Sequence, residues 1–551
     1  DKVIFDVGHQ SYTHKILTGR SLDNLRTSSG VSGFQKISES KYDCFEAGHS
    51  STSISAAYGF AVARDLSSEN YHCVSVIGDG SIINGLAFEA LNDIPHSNHK
   101  VIIVLNDNEM SISKPTGGLG AIFAKWSASR GYLHSKDRFS RNMGKSRFGR
   151  FILKVTRAIK NFLSSILVPH NMFRDLGYYY IGPVNGHDIK SLEKAFAEAK
   201  RSTKSVIIHT YTIKGKGYEL AENDDNGAWH GVAPFDIETG ESINKHENAK
   251  SWSKVFSELV LRKMSEDKKV VTISPATLKG SELEEVFKNY QDRAFDVGIC
   301  EEHAATMSSS LSLSGYHPIV AIYSTFMQRA FDEISHDIAR MNVNTTFLVD
   351  RSGLVGADGE THMGIYDESF LVNTPNCVVS MPSSFNDACL LFNESFNNHG
   401  PFFIRFPKGY LNEVKDEPNY SSTFGKWQLK NDSSSKNTVV LAVGPLQNDL
   451  LKLIKDKNLD IIVYNCLYIN PLDEEALNEC LTFKNVVIYN PYATIGGFAN
   501  SVTNRLTELS YKGNIQTFVV PNEFVKQGSV KEQLERYNLL PEQVLNEISK
   551  L

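Results

Sequence analysis

No Cys-x-x-Cys pair occurs in this chain. Its seven cysteines, Cys44, Cys73, Cys300, Cys377, Cys389, Cys466 and Cys480, are scattered and odd in number. That pattern argues against a disulfide framework and against the usual zinc ligand sets, and it points to a reducing compartment. No apolar run approaches the ~18 residues a membrane-spanning helix needs. Positive charge is not in excess: 57 Lys and Arg stand against 63 Asp and Glu, a net charge of -6. A nucleic-acid-binding domain would carry a basic balance instead. Residues Asp1 to Val7 read as a strand already under way, so a fragment, a processed form or a trimmed chain is expected. Short solenoid repeats and low-complexity tracts are also missing.

What is present is an ordinary globular composition. The 551 residues are 41% hydrophobic and 22% charged, enough for several buried cores. Apolar runs alternate with helical segments. Val74–Ile77 reads as a buried strand, a helical stretch follows around Gly85–Asn92, and Val101–Leu105 reads as the next strand. Strand, crossover helix and strand at this spacing predict a right-handed parallel unit. Three such regions are expected: 1–235, 246–415 and 437–551, with a polar linker over 416–436. Within the first, 125–160 carries eleven Lys or Arg against one acid, Asp137. It reads as a mobile basic insertion within 120–165, with a lid that attracts phosphorylated substrate as the sharper alternative.

Gly78-Asp79-Gly80 closes one predicted strand, and Asn106-Asp107-Asn108 closes the next. Ligands of open α/β folds bind at such strand ends. Asp79 offers a hard carboxylate oxygen and Asn108 a neutral carbonyl oxygen, both suited to Mg²⁺. The flanking Gly78 and Gly80 allow backbone to approach a phosphate closely. Gly-Asp-Gly alone is a weak signal, because most such triplets are turns. Followed at this spacing by Asn106-Asp107-Asn108-Glu109-Met110-Ser111-Ile112-Ser113, it resembles the thiamine-diphosphate signature.

Further blocks narrow the resemblance. They are Asp6-Val7-Gly8-His9-Gln10, His14 to Arg20, Gly48 to Ser53, Gly182 to Asp188, Lys214-Gly215-Lys216-Gly217-Tyr218, Tyr323-Ser324-Thr325-Phe326 and Gly356 to His362. Together they resemble the 1-deoxy-D-xylulose-5-phosphate synthase family of transketolase-like enzymes. The resemblance implies an α/β fold of three doubly wound domains with mainly parallel sheets, the cofactors thiamine diphosphate and Mg²⁺, and a homodimer. It implies decarboxylative condensation of pyruvate with D-glyceraldehyde 3-phosphate, in isoprenoid and thiamine precursor synthesis. Bacterial cytoplasm or a plastid is the implied location. Neither nucleic acid nor membrane is an expected partner.

The same resemblance implies roles residue by residue. Asp79, Asn108 and the carbonyl of Met110 would ligate Mg²⁺. His9, Gly48, His49, Ser50, Gly80, Ser81, Asn108, Ile112, Tyr218, Glu301 and Phe326 would contact the cofactor. Glu301 would face the aminopyrimidine ring nitrogen and, with His362, Asp358 and His49, serve the chemistry. Tyr323, Arg329, Arg351 and His230 would meet substrate, with Arg405 and Lys408 as joint candidates for its phosphate. Taken alone, Glu301 reads as a first-turn helix acid, and Phe326 as core. The family usually has Arg where Lys408 stands, and an upstream His-Leu-Ser-Ser-Asn run has no match here. Two rivals remain: another thiamine-diphosphate enzyme, such as a transketolase or 2-oxo acid enzyme, and a non-catalytic homologue of the same fold.

Overall fold

The computed structural model describes residues 1–9, 11–108, 118, 172–224, 228–232, 234–243, 249–411, 424–433, 435 and 437–551. The chain divides into two compact units. One comprises 1–14 and 34–242; the other comprises 15–33 and 243–551. The expected first region therefore loses Lys15–Gly33 to the second unit. The basic stretch 125–160 lies outside the described residues.

The first unit is built on a five-stranded sheet. Its strands are β1 (Lys2–Phe5), β2 (Cys73–Gly78), β3 (Ile102–Asp107), β4 (Tyr179–Asn185) and β5 (Val206–Tyr211), in the order β1-β2-β3-β5-β4. All pairs are parallel. Apolar runs such as Ile102-Ile103-Val104-Leu105 are buried along their length, as a sheet covered on both faces requires. The helix Gly85–Asp93 starts where buried Asn84 accepts a hydrogen bond from the Leu86 amide at 3.0 Å.

The second unit holds two large sheets and one ribbon. The ribbon pairs β6 (Lys250–Ser251) with β13 (Tyr410–Leu411). The seven-stranded sheet contains β7 (Val270–Ser274), β8 (Ala294–Asp296), β9 (His317–Tyr323), β10 (Thr346–Asp350), β11 (Val378–Ser380), β12 (Phe402–Arg405) and β17 (Tyr468–Asn470). Its order is β17-β11-β12-β10-β9-β7-β8. Only β17 runs antiparallel, against β11. The five-stranded sheet contains β14 (Gln428–Asn431), β15 (Thr438–Ala442), β16 (Ile462–Asn465), β18 (Asn485–Thr494) and β19 (Asn514–Val520). Its order is β14-β16-β15-β18-β19.

Two sequence expectations change here. The stretch read as a linker, 416–436, supplies β14, which pairs antiparallel with β16. The last region also gives β17 to the neighbouring sheet. A four-residue polar strand such as Gln428–Asn431 carries no apolar signal of its own; the edge of a sheet already formed templates it. Among the described residues no helix is long and apolar enough to cross a membrane.

Candidate active site

In the first unit the ends of β2 and β3 lie side by side and carry Asp79 and Asn108. The Asp79 amide donates to the Asn106 carbonyl at 3.2 Å, which ties the end of β2 to the end of β3. Asp79 is 6% exposed. Its Oδ1 accepts the Gly80 amide at 3.1 Å, while its buried Oδ2 has no hydrogen-bond partner among the described residues. Burial, and then the neighbouring Asp107 carboxylate, push its carboxyl up to about 7; the Gly80 amide and Lys214 oppose the shift. A carboxylate so placed is short of positive charge. Among the described residues no three His, Cys, Asp or Glu gather as a metal cluster. A cation at Asp79 would therefore rest on neutral oxygens as well, as Asn108 at the end of β3 offers. Met110 and Ile112 lie outside the described residues.

Gly48, His49 and Ser50 sit on a turn held by a residue to which the sequence reading assigned no role. Buried Asp6, just after β1, accepts the Ser51 amide at 2.8 Å and the Ser53 amide at 3.2 Å. Ser51 Oγ donates to the Ser81 carbonyl at 2.8 Å. One carboxylate thus braces the 48–53 turn, and Ser51 links that turn to Gly80-Ser81. The bracing sustains uncommon backbone: Val7 has φ 59° and Ser51 φ 76°, left-handed conformations that cost a non-glycine residue energy. The aspartate before Val7-Gly8-His9 was visible, but its partners lie 45 and 47 residues on.

Nearby, the His9 and His230 rings lie 5.5 Å apart, and Lys214 Nζ is 3.3 Å from His230 Nδ1. Tyr218 is differently occupied. Its ring packs edge-on against Trp229 at 5.1 Å and its hydroxyl donates to the Ile237 carbonyl. The sequence reading also passed over a buried pair beneath Asn108: Asp107 Oδ2 is 3.0 Å from His209 Nε2, and His209 Nδ1 is 2.6 Å from the Tyr180 hydroxyl.

In the second unit, Glu301 is the first residue of the helix Glu301–Leu313 and is 2% exposed. Its buried Oε2 has no hydrogen-bond partner among the described residues; Arg329 Nη1 lies 3.9 Å away. Burial pushes the carboxyl up to about 7, with Arg329 opposing. Tyr323 and Phe326 stack at 5.5 Å, and Phe326 meets the His362 ring edge-on at 5.6 Å. His362 Nδ1 is 2.7 Å from Thr361 Oγ1. Asp358 pairs with Arg26 of the segment 15–33. The Arg351 guanidinium lies over the Tyr323 ring at 3.9 Å.

One predicted phosphate ligand is corrected. Arg405 is completely buried. Its Nε and Nη2 bind both oxygens of Asp367 at 2.7 and 2.9 Å, and its Nη1 binds Glu368 Oε2 at 2.7 Å. Nη2 also donates to the carbonyls of Gly364 and Tyr492. Two enclosed carboxylates already match this cation, so it is not offered to a substrate. Of the two candidates only Lys408, which is exposed, keeps that role open.

The mainly parallel sheets of the two units give an α/β protein whose strand ends are suited to binding ligands. Comparison with known families agrees: residues 248–413 match the transketolase pyrimidine-binding domain, and residues 425–544 match the transketolase C-terminal domain. Residues 1–212 match the family described as 1-deoxy-D-xylulose-5-phosphate synthase. Synthases of that name from Macrococcus caseolyticus (strain JCSC5402) and Geobacillus sp. (strain WCH70) are each 40% identical to this chain. The one from Clostridium tetani (strain Massachusetts / E88) is 38% identical. All three alignments cover 100% of this chain and 89% of the relative. A solved transketolase from Campylobacter jejuni aligns over 100% of this chain and 91% of its own length, at 16% identity and a TM-score of 0.48. The chain belongs to the 1-deoxy-D-xylulose-5-phosphate synthase family. It is a thiamine-diphosphate-dependent transferase that condenses pyruvate with D-glyceraldehyde 3-phosphate to 1-deoxy-D-xylulose 5-phosphate and carbon dioxide, in isoprenoid precursor synthesis.

Proposed function

We propose that Asp79 and Glu301 are the two anchors through which this chain uses its cofactor. The observation that carries the reading is chemical: each has a buried carboxylate oxygen without a hydrogen bond among the described residues, and each carboxyl is pushed up to about 7. Buried polar groups are normally satisfied, and exceptions call for an absent partner. A Mg²⁺ ion is the partner that suits Asp79, with Asn108 and the Met110 carbonyl as further ligands. A ring nitrogen of the aminopyrimidine suits Glu301. Thiamine diphosphate, when bound, supplies the nucleophile and the electron sink that lets carbon dioxide leave.

The other roles belong to this chain's own side chains. The Asp6-braced turn presents Gly48, His49 and Ser50, and Gly80 and Ser81 supply backbone to the diphosphate. His9, Ile112 and Tyr218 line the cofactor, and Phe326 gives the aminopyrimidine an aromatic face. Glu301 holds a proton at its carboxyl for the ring nitrogen, and burial, which raises that carboxyl to about 7, keeps its protonated form within reach at neutral pH. His362, Asp358 and His49 orient the reacting groups and move protons, and Tyr323, Arg329 and His230 contact substrate. Arg351 and Lys408 take the acceptor's phosphate. The active species is a homodimer. The relatives reported are bacterial, which favours bacterial cytoplasm over a plastid; the product also feeds thiamine synthesis.

The metal reading has a direct test. Asp79→Asn keeps the shape and removes the charge. It should weaken Mg²⁺-dependent binding of thiamine diphosphate, read by quenching of tryptophan fluorescence, by roughly 10–100-fold, since removing a metal-site partner typically costs that much. Wild-type affinity for cofactor and Mg²⁺ in that variant would end the assignment.

A further inference from the structure

Arg351 is held in place before any substrate arrives. It follows β10, and its backbone takes φ 60°, a left-handed conformation that arginine rarely adopts. The preceding residue maintains it. Asp350 is 1% exposed. Its Oδ1 accepts the Arg351 amide at 2.7 Å, and its Oδ2 accepts Arg351 Nη1 at 2.7 Å. Ser253 Oγ donates to the same Oδ2 at 2.8 Å from the helix Trp252–Glu266. One carboxylate therefore closes a ring through the backbone and the guanidinium of its own neighbour.

The second wall is aromatic. The guanidinium carbon lies 3.9 Å from the Tyr323 ring centre, close enough for a strong cation–π contact. Tyr323 in turn stacks on Phe326. Gly280 makes this position possible: a Cβ there would stand 1.6 Å from the Tyr323 hydroxyl oxygen and 3.2 Å from Arg351 Nη2. Any side chain at 280 would push the tyrosine off the arginine. Asp358 is a further carboxylate favouring the cation. Even so, the Arg351 side chain stays 21% exposed, so it is fixed but not enclosed. Arg405 differs on this last point: enclosed on every side, it has no face left for a ligand.

We infer that Asp350 is a positioning residue for the known reaction, and that with Tyr323 over Gly280 it pre-orients Arg351 to select the phosphorylated acceptor. The inference rests on the reading of Arg351 as a phosphate ligand. A cation fixed in advance loses less side-chain freedom on binding the phosphate. Asp350 itself touches no substrate. Its loss should therefore show in the affinity for the acceptor phosphate and not in the affinity for pyruvate.

The experiment compares wild type, Asp350→Asn, Gly280→Ala and Arg351→Ala. D-glyceraldehyde 3-phosphate and unphosphorylated D-glyceraldehyde serve as acceptors, and the KM for pyruvate is measured alongside. In Asp350→Asn the amide NH₂ meets an Arg351 N–H donor in either orientation, the backbone amide at one position or Nη1 at the other. The KM for the phosphorylated acceptor should rise roughly tenfold or more, while the KM for pyruvate and the use of D-glyceraldehyde stay unchanged. Gly280→Ala should shift the same ratio in the same direction without altering any charge, and it decides the matter if Asp350→Asn does not fold. If both variants keep the wild-type preference for phosphate while Arg351→Ala loses it, the positioning inference is overturned and the phosphate reading stands. If Arg351→Ala also keeps the preference, the phosphate reading falls, and the inference with it.

Discussion

Glu301→Gln is expected to lower kcat by about 10²–10⁴-fold, the range that one positioned acid or base contributes. Glutamine preserves the shape of the side chain but cannot give a proton to a ring nitrogen and take it back. The same substitution should stabilise the cofactor-free protein above neutral pH. Burial raises the carboxyl from its ordinary 4.5 to about 7, so the folded state holds a proton that the unfolded chain releases. Stability at this site is therefore intact below about 4.5 and is lost as pH climbs toward 7. Glutamine removes that loss. By linkage the gain at pH 8 is about 3 kcal/mol at most. Activity and urea unfolding should thus move in opposite directions. Equal unfolding curves at pH 8, or a kcat near wild type, would sink the assignment. A merely structural first-turn acid would not couple lost activity to gained stability.

Arg405→Met should leave activity unmeasurable for a different reason: the second unit will not hold together. Asp367 and Glu368 are both completely buried, and this arginine is the cation between them. Removing one partner of a buried pair costs about 3–5 kcal/mol, because the remaining charges stay unmatched. Glu368 also accepts Asn490 Nδ2 and the Phe498 amide, so the network joins the end of β12 to the β18 region. Arg405→Lys keeps a charge but loses the planar fork that reaches two carboxylates, and it should fall between wild type and Met. Burial raises the Glu368 carboxyl above its ordinary value, so the Met deficit should shrink as pH is lowered and that carboxylate takes up a proton. A soluble Arg405→Met protein of wild-type stability whose only change is a raised KM for D-glyceraldehyde 3-phosphate would restore the phosphate role given up here.

These two residues show what local sequence carries. Glu301 is singled out only by the sequence around it, because by residue type alone a first-turn glutamate is an ordinary helix acid. The Asp79-to-Asn108 spacing was legible because two apolar strands, each ending in a small polar triplet, are a local pattern. Arg405 was misread for the opposite reason. Arg405-Phe406-Pro407-Lys408-Gly409 offers two cations three residues apart, and only their partners distinguish them. Those partners, Asp367 and Glu368, lie 38 and 37 residues away. The linker reading failed similarly, since Gln428–Asn431 becomes a strand only beside β16.

The alternation of strand and helix, the metal-type oxygen pair and the family blocks follow from residues close in the chain, because periodicity and motif spacing are short-range properties. Whether a charged group is buried, what it pairs with and whether an oxygen is left over depend on contacts between distant segments. Folding alone therefore set Arg405 as a closed ion pair, Arg351 as a held but open cation, and Asp79 and Glu301 as carboxylates each with one buried oxygen that no hydrogen bond reaches among the described residues.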